Sequence, residues 1–227
     1  MQILSNREIR RYQNQIVIDK FGIEGQQKIK EAKVAVIGAG GIGTVVLQHL
    51  TSCGIGTLGI IDNTMVEETN IHRQTLYGTS DLGKQKAIIA KQKLSDINAQ
   101  CNINIHNLYI TADNLSRICE PYDIVIDVTN SLETNNAIIQ YCIKNNKSLI
   151  FGLINEFEIE IGCFTSKEKL SKYADKRITD TNHKTGYISS VAGVIGCLIC
   201  LHTIKVITRF TEKSDNQSKK FNILELL

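Results

Sequence analysis

A chain of 227 residues, 42% of them hydrophobic, carries enough apolar material for one ample core, so a single domain over residues 1–227 is expected. Its 26 basic and 23 acidic residues leave a formal charge of +3 and are mixed along the chain, which argues against a nucleic-acid arm or a polybasic membrane patch. The opening MQILSNREIRRYQ is charged where a signal peptide needs its apolar core, and the seven cysteines sit mostly in apolar runs, so a cytoplasmic protein with reduced thiols is expected.

In chain order, residues 6–31 read as two short amphipathic helices separated near Gly22 and Gly25. Val34–Ile37 is a buried strand whose apolar run breaks into glycines and then a helix through about Cys53. Leu58–Asp62 is a second strand with an acidic end, and residues 65–83 have too little periodicity for anything but an irregular loop. Lys86–Ile97 is a helix, Ile103–Leu108 a strand, Ala112–Cys119 a short helix and Ile124–Asp127 a buried strand. Glu133–Lys144 is helical and Ser148–Phe151 a strand. Such alternation predicts an α/β fold, a Rossmann-like doubly wound, mainly parallel sheet with helices on both faces.

From Asn155 the texture changes. Residues 157–164 (FEIEIGCF) alternate as an antiparallel strand does, residues 165–184 form a polar, lysine-rich connection, and a late apolar helix precedes a closing strand at 221–224. The domain thus divides into N-terminal helices (1–31), a nucleotide-binding half (32–154) and an antiparallel extension with crossover loop and helix (155–227). The apolar segment Val191–Ile207 is short for a membrane span and contains His202 and Lys205, so it is read as a buried helix. Cys197 and Cys200 form a lone CxxC; without a second pair, no zinc is expected, and they read as small apolar side chains on one helix face.

The glycines fall where a mechanism needs them. Gly38-x-Gly40-Gly41-x-Gly43 follows a strand and opens a helix, so the backbone can turn tightly and aim amides at phosphate oxygens. Asp62 lies 19 residues beyond Gly43 at a strand end, where a carboxylate accepts from ribose hydroxyls. The loop alone leaves open whether the nucleotide is NAD or another. Beyond Asp62, residues 68–74 (ETNIHRQ) supply Asn70, Arg73 and Gln74, and residues 81–86 (DLGKQK) supply Lys86 at a helix start. A dehydrogenase has no use for that guanidinium, whereas a triphosphate does.

In this order, RYQNQI, GAGGIG, LGIID, TNIHRQ, DLGKQKA, IDVTNS and VAGVIG resemble the ThiF/MoeB/HesA group of adenylating enzymes, relatives of the ubiquitin-activating enzymes, from about Arg10 to Lys205. The resemblance implies an enzyme that uses ATP and Mg²⁺ to adenylate the C-terminal carboxylate of a small ubiquitin-like carrier protein or peptide ending in glycine. It implies that Gly38, Gly40, Gly41 and Gly43 cradle the nucleotide, that Asp62 holds the ribose, and that Asn70, Arg73, Gln74 and Lys86 meet the phosphates. It also implies a homodimer, which suits a late helix that is apolar nearly all round.

Three departures bear on activity. The family's second aspartate after the IDVT strand, a Mg²⁺ ligand, is Asn130 here, which can coordinate the metal only weakly, and Asp127 is read as chiefly structural. The family's arginine reaching the neighbouring subunit's site is Asn14. The crossover loop has no cysteine, Asn182 and His183 standing near that position, so no thioester or persulfide intermediate is expected there; Cys163, in an alternating strand, is read as buried. Two other readings stay open: a nucleotide-binding scaffold or half of a heterodimeric activating enzyme, and an NAD-dependent oxidoreductase resting on the glycine loop alone.

Overall fold

Runs of β-branched residues build the central strands of this protein, whose computed structural model describes residues 3–176, 186–209 and 216–226. Asn182 and His183 lie outside the described residues. The strands β1 (Lys33–Ile37), β2 (Thr57–Ile61), β3 (Asn102–His106), β4 (Ile124–Asp127), β5 (Ser148–Asn155), β6 (Glu158–Phe164) and β7 (Gln217–Asn222) form one sheet in the order β3-β2-β1-β4-β5-β6-β7. The first five pair in parallel, while β6 and β7 run antiparallel at one edge. Strand order reverses between β1 and β4, which opens a crevice at their carboxyl ends. This is the doubly wound α/β sheet the alternation predicts.

Both faces are covered, as a parallel sheet requires. Val34, Val36, Leu58, Ile60, Ile124 and Ile126 meet the helices α3 (Gly22–Glu31), α4 (Gly41–Cys53), α6 (Lys86–Ile97) and α10 (Ser189–Thr208). Ala35, Ile37, Ile61 and Val125 face α7 (Ala112–Cys119), α8 (Leu132–Asn145) and α9 (Lys167–Lys176).

Four expectations are corrected. The N-terminal segment has three helices, α1 (Asn6–Arg11), α2 (Gln13–Ile16) and α3, because Gly22 at φ +58° starts α3 whereas Gly25 is interior to it, its missing side chain leaving room for the Phe21 ring. Residues 65–83 hold the one-turn helix α5 (Glu68–Ile71) and a 3₁₀ turn, Thr79–Asp81, both too short to leave a periodic signature. The polar connection after residue 165 begins with α9: Leu170, Tyr173 and Ala174 share one face, and Tyr173 packs 5.4 Å and 5.0 Å from the Phe151 and Phe164 ring centroids. The closing strand starts at Gln217, where β6 supplies its ladder, and 223–226 is a 3₁₀ turn.

The long apolar helix α10 is the one among the described residues long and apolar enough to cross a membrane. In the fold, Val191, Ala192, Ile195, Ile199 and Cys200 bury against the sheet and α4, leaving Val194 and Leu201 39% and 58% exposed. Cys200 is buried, and half-buried Cys197 lies 3.6 Å from the exposed His49 ring. Gly196 sets the approach of α10 to α4: a Cβ there would lie 2.7 Å from the Val45 side chain and 3.3 Å from the Ile42 carbonyl. Gly193, on the same helix, has nothing within 4 Å of that position. Gly196→Ala should therefore lower the unfolding free energy by about 1–3 kcal/mol, and Gly193→Ala should raise it by up to about 1 kcal/mol, both read by urea unfolding.

Candidate active site

The crevice between β1 and β4 widens into a cleft of about 470 Å³, ample for a nucleotide. The glycines at its floor serve different ends. Gly38 turns the chain at φ +104°, with Val128 O 3.1 Å from where a Cβ would stand. A Cβ on Gly43 would fall 2.0 Å from the Gly38 carbonyl, so this glycine lets α4 press against the end of β1 and does not line the cleft. Gly40 has only the Gln74 amide nitrogen within 4 Å, at 3.8 Å, which leaves its backbone open to a ligand. Tyr77 Oη–H donates to the Ala39 carbonyl at 3.1 Å and anchors the loop from below.

Asp62 stands at the end of β2. One carboxylate oxygen accepts from Ala39 N–H at 2.8 Å, the other from Thr64 N–H at 2.8 Å and its hydroxyl at 2.6 Å. These bonds fix the carboxylate across the glycine loop while leaving acceptor capacity for ribose hydroxyls.

Asn70 is placed differently from expectation. It is buried and turned into its own loop, where its Oδ1 accepts from Glu67 N–H at 3.1 Å and its carbonyl accepts from Arg73 and Gln74 N–H at 3.0 Å and 2.9 Å. It shapes the turn that delivers Arg73 and Gln74 to the cleft and does not itself line it. Arg73 is held by the Thr69 carbonyl and by the His72 ring nitrogen at 3.0 Å. Gln74 is buried at the cleft wall, its amide nitrogen toward Gly40 and its Oε1 without a hydrogen-bond partner.

Lys86 opens α6, its N–H donating to the Thr64 carbonyl at 3.0 Å. Burial pushes its ammonium below the ordinary lysine range, partly offset by Asp62 and Glu67, while Arg73 adds repulsion. Two cations converging in a partly dry cleft make an environment that stabilises added negative charge.

Across the cleft, Asp127 is spent on structure. It accepts from Thr129 N–H at 2.9 Å and hydroxyl at 2.8 Å, and from the Asn135 amide at 2.6 Å. Asn130 is exposed at the rim, between Thr129 and the α8 N-cap Ser131. Among the described residues no three His, Cys, Asp or Glu side chains gather to hold a metal. The structure therefore brings Gly38, Gly40, Gly41, Asp62, Arg73, Gln74, Lys86 and Asn130 to one cleft.

Two tyrosines that carry no sequence signal also line the cleft. Tyr109 bridges to α8, its Oη 3.0 Å from Thr134 Oγ1 and 3.4 Å from Ser131 Oγ, beside the apolar walls of Leu108, Ile110 and Val128. Tyr187 enters from the segment before α10. Neither stands in a motif, since each arrives by tertiary packing.

The fold with its cleft at the topological switch point defines a Rossmann-like α/β protein. The chain belongs to the ThiF family, whose model matches residues 12–227. It is 32% identical over 230 residues to the probable molybdopterin-synthase adenylyltransferase of Porphyra purpurea, covering 98% of this chain and 60% of that protein. It is 35% identical over 160 residues to the sulfur carrier protein adenylyltransferase of Thermus thermophilus, covering 70% of this chain and 59% of that one. The chain thus spans about three fifths of the length of these relatives. Among solved structures, E. coli MccB with ATP is similar at a TM-score of 0.71 and 26% identity, over 88% of this chain and 66% of that one. E. coli TcdA, a tRNA N6-threonylcarbamoyladenosine dehydratase in complex with AMP, shares the fold at a TM-score of 0.76 and 20% identity, over 92% of this chain and 98% of that one.

The loop carrying Lys86 is tied down by Asp81, buried, which accepts from Gly78 N–H at 2.9 Å and pairs with Lys93. Burial alone would push this carboxyl up, but Lys93 and the Gly78 N–H together hold it below the usual range. A carboxyl depressed in the folded state contributes stability above its unfolded pKa of about 4 and loses it as pH falls through the lower folded value. Asp81→Asn should cost about 1–2 kcal/mol near neutral pH and flatten the fall of stability below about pH 4, as followed by urea unfolding across pH.

Proposed function

We propose that this protein is an ATP-dependent adenylyltransferase that activates the C-terminal carboxylate of a small ubiquitin-like carrier protein or peptide ending in glycine. The observation that carries the proposal is the convergence of an open Gly40 backbone, the fixed Asp62 carboxylate and the cations Arg73 and Lys86 on one cleft. The relatives named as adenylyltransferases and the likeness to MccB with ATP support it. The cleft fits the nucleotide: Gln74 holds a buried unpartnered oxygen there, and apolar walls stand opposite the cations.

In the reaction an oxygen of the substrate carboxylate bonds to the α-phosphorus while the bond to the bridging oxygen breaks and pyrophosphate leaves with the electron pair. Gly38, Gly40 and Gly41 hold the phosphates against the start of α4, and Asp62 accepts from the ribose hydroxyls. Arg73 and Lys86 neutralise charge as it shifts toward the leaving group, so catalysis is positioning and electrostatics. Mg²⁺ would supply further neutralisation of phosphate charge. Asn130 would hold it as a neutral protein ligand and would bring no charge of its own.

The adenylate passes directly to a nucleophile, without a crossover-loop cysteine: residues 165–187 contain none, and Cys163 is buried. The exposed Val194 and Leu201 of α10 favour a homodimer, and seven free cysteines favour the cytoplasm. A second reading, half of a heterodimeric activating enzyme, draws on Asn130 and the exposed Asn14, both neutral where the family carries charge.

ATP–pyrophosphate exchange with Mg²⁺ and Mn²⁺, with and without glycine-ended carriers, tests the proposal. Exchange should depend on one carrier, fall about 100-fold or more in Lys86→Ala and Arg73→Ala, and rise at limiting Mg²⁺ in Asn130→Asp. Tight ATP binding with no exchange for any carrier would instead favour the half-enzyme reading.

A further inference from the structure

Gly41 has no conformational reason to be glycine. It is the first residue of α4, outside the left-handed region, and it is not the open position of the loop, which is Gly40. What stands over it is Tyr187. A Cβ on Gly41 would lie 2.4 Å from the Tyr187 hydroxyl and 3.1 Å from the ring, so any side chain at 41 would force the tyrosine away. The same ring lies 5.6 Å, centroid to Cζ, from the Arg73 guanidinium, within cation–π range. Tyr187 thus touches, at once, the helix start that faces the phosphates and the guanidinium that would neutralise them, and it lines the cleft between the two.

We propose that Tyr187 is a positioning residue for nucleotide binding: its ring face holds the Arg73 guanidinium over the glycine loop. The inference rests on the adenylyltransferase reading of the cleft. A long, flexible arginine side chain has rotamer freedom to lose on meeting a ligand. Arg73 is only half-buried, its other contacts being the Thr69 carbonyl and the His72 ring, both from its own turn. Tyr187 comes from the far side of the cleft, 114 positions along the chain, and so fixes the guanidinium relative to the loop and not merely to its own turn. The ring, not the hydroxyl, supplies this contact. Gly41 is then the small residue that lets an aromatic from the α10 approach seat beside the phosphates.

The test is a double-mutant cycle on ATP affinity, measured calorimetrically on the full chain, with thermal unfolding to confirm that each variant folds. Tyr187→Phe should bind ATP within about twofold of the parent, and Tyr187→Leu, which keeps apolar packing, should bind about fivefold more weakly, as should Tyr187→Ala. In an Arg73→Ala background, Tyr187→Leu should add no further loss. An equal loss in both backgrounds, or a Tyr187→Phe defect as large as that of Tyr187→Leu, would overturn the role of the ring while leaving the adenylyltransferase reading intact. A parent protein that binds no ATP would overturn both.

Discussion

How closely α4 can approach the end of β1 decides everything that follows in this cleft. Gly43 permits a contact with the Gly38 carbonyl that any side chain would block, and Gly38 takes a backbone conformation that side chains resist. With that approach made, the free N–H groups at the start of α4 point into the β1–β4 crevice. Asp62 then closes the loop from the β2 side through Ala39, and Tyr77 holds it from below. The glycines are therefore not one feature but several: a turn, a packing contact, an open backbone and a seat for an aromatic ring.

The second layer of the account is electrostatic. The Lys86 ammonium is buried, and burial, with a smaller contribution from the Arg73 guanidinium, holds it below the ordinary lysine range. Asp62 and Glu67 outweigh the Arg73 repulsion but do not cancel the effect of burial. A partly dry cleft lined by two cations is an environment that stabilises added negative charge. In the same segment the Asp81–Lys93 pair fixes the approach to α6. Asp127, engaged by Thr129 and Asn135, shapes the opposite rim and contributes no free carboxylate to it.

Much of this was legible from the residues. The helix over 86–97 and the strand over 124–127 follow from strong patterns, and the glycine spacing places the cleft. The misses share a cause: each depends on contacts that spacing cannot show. Leu170 and Tyr173 of α9 are hidden among lysines, and their burial comes from Phe151 and Phe164, distant in sequence. Gly43 and Asn70 belong to the same motifs as Gly40 and Arg73, yet they build the scaffold behind the cleft wall. Tyr109 and Tyr187 lie in no motif and become visible only when the β3–α7 and α10 approaches are folded over the sheet.

The central claim is that a dinucleotide-type loop, supplemented by Arg73 and Lys86, holds a triphosphate. Competition between ATP and NAD for the purified chain, read by calorimetry at several ionic strengths, tests it most directly. The account predicts that ATP binds with a strong salt dependence, that AMP binds more weakly, and that NAD does not displace ATP. NAD binding tightly and resisting competition by ATP would contradict it.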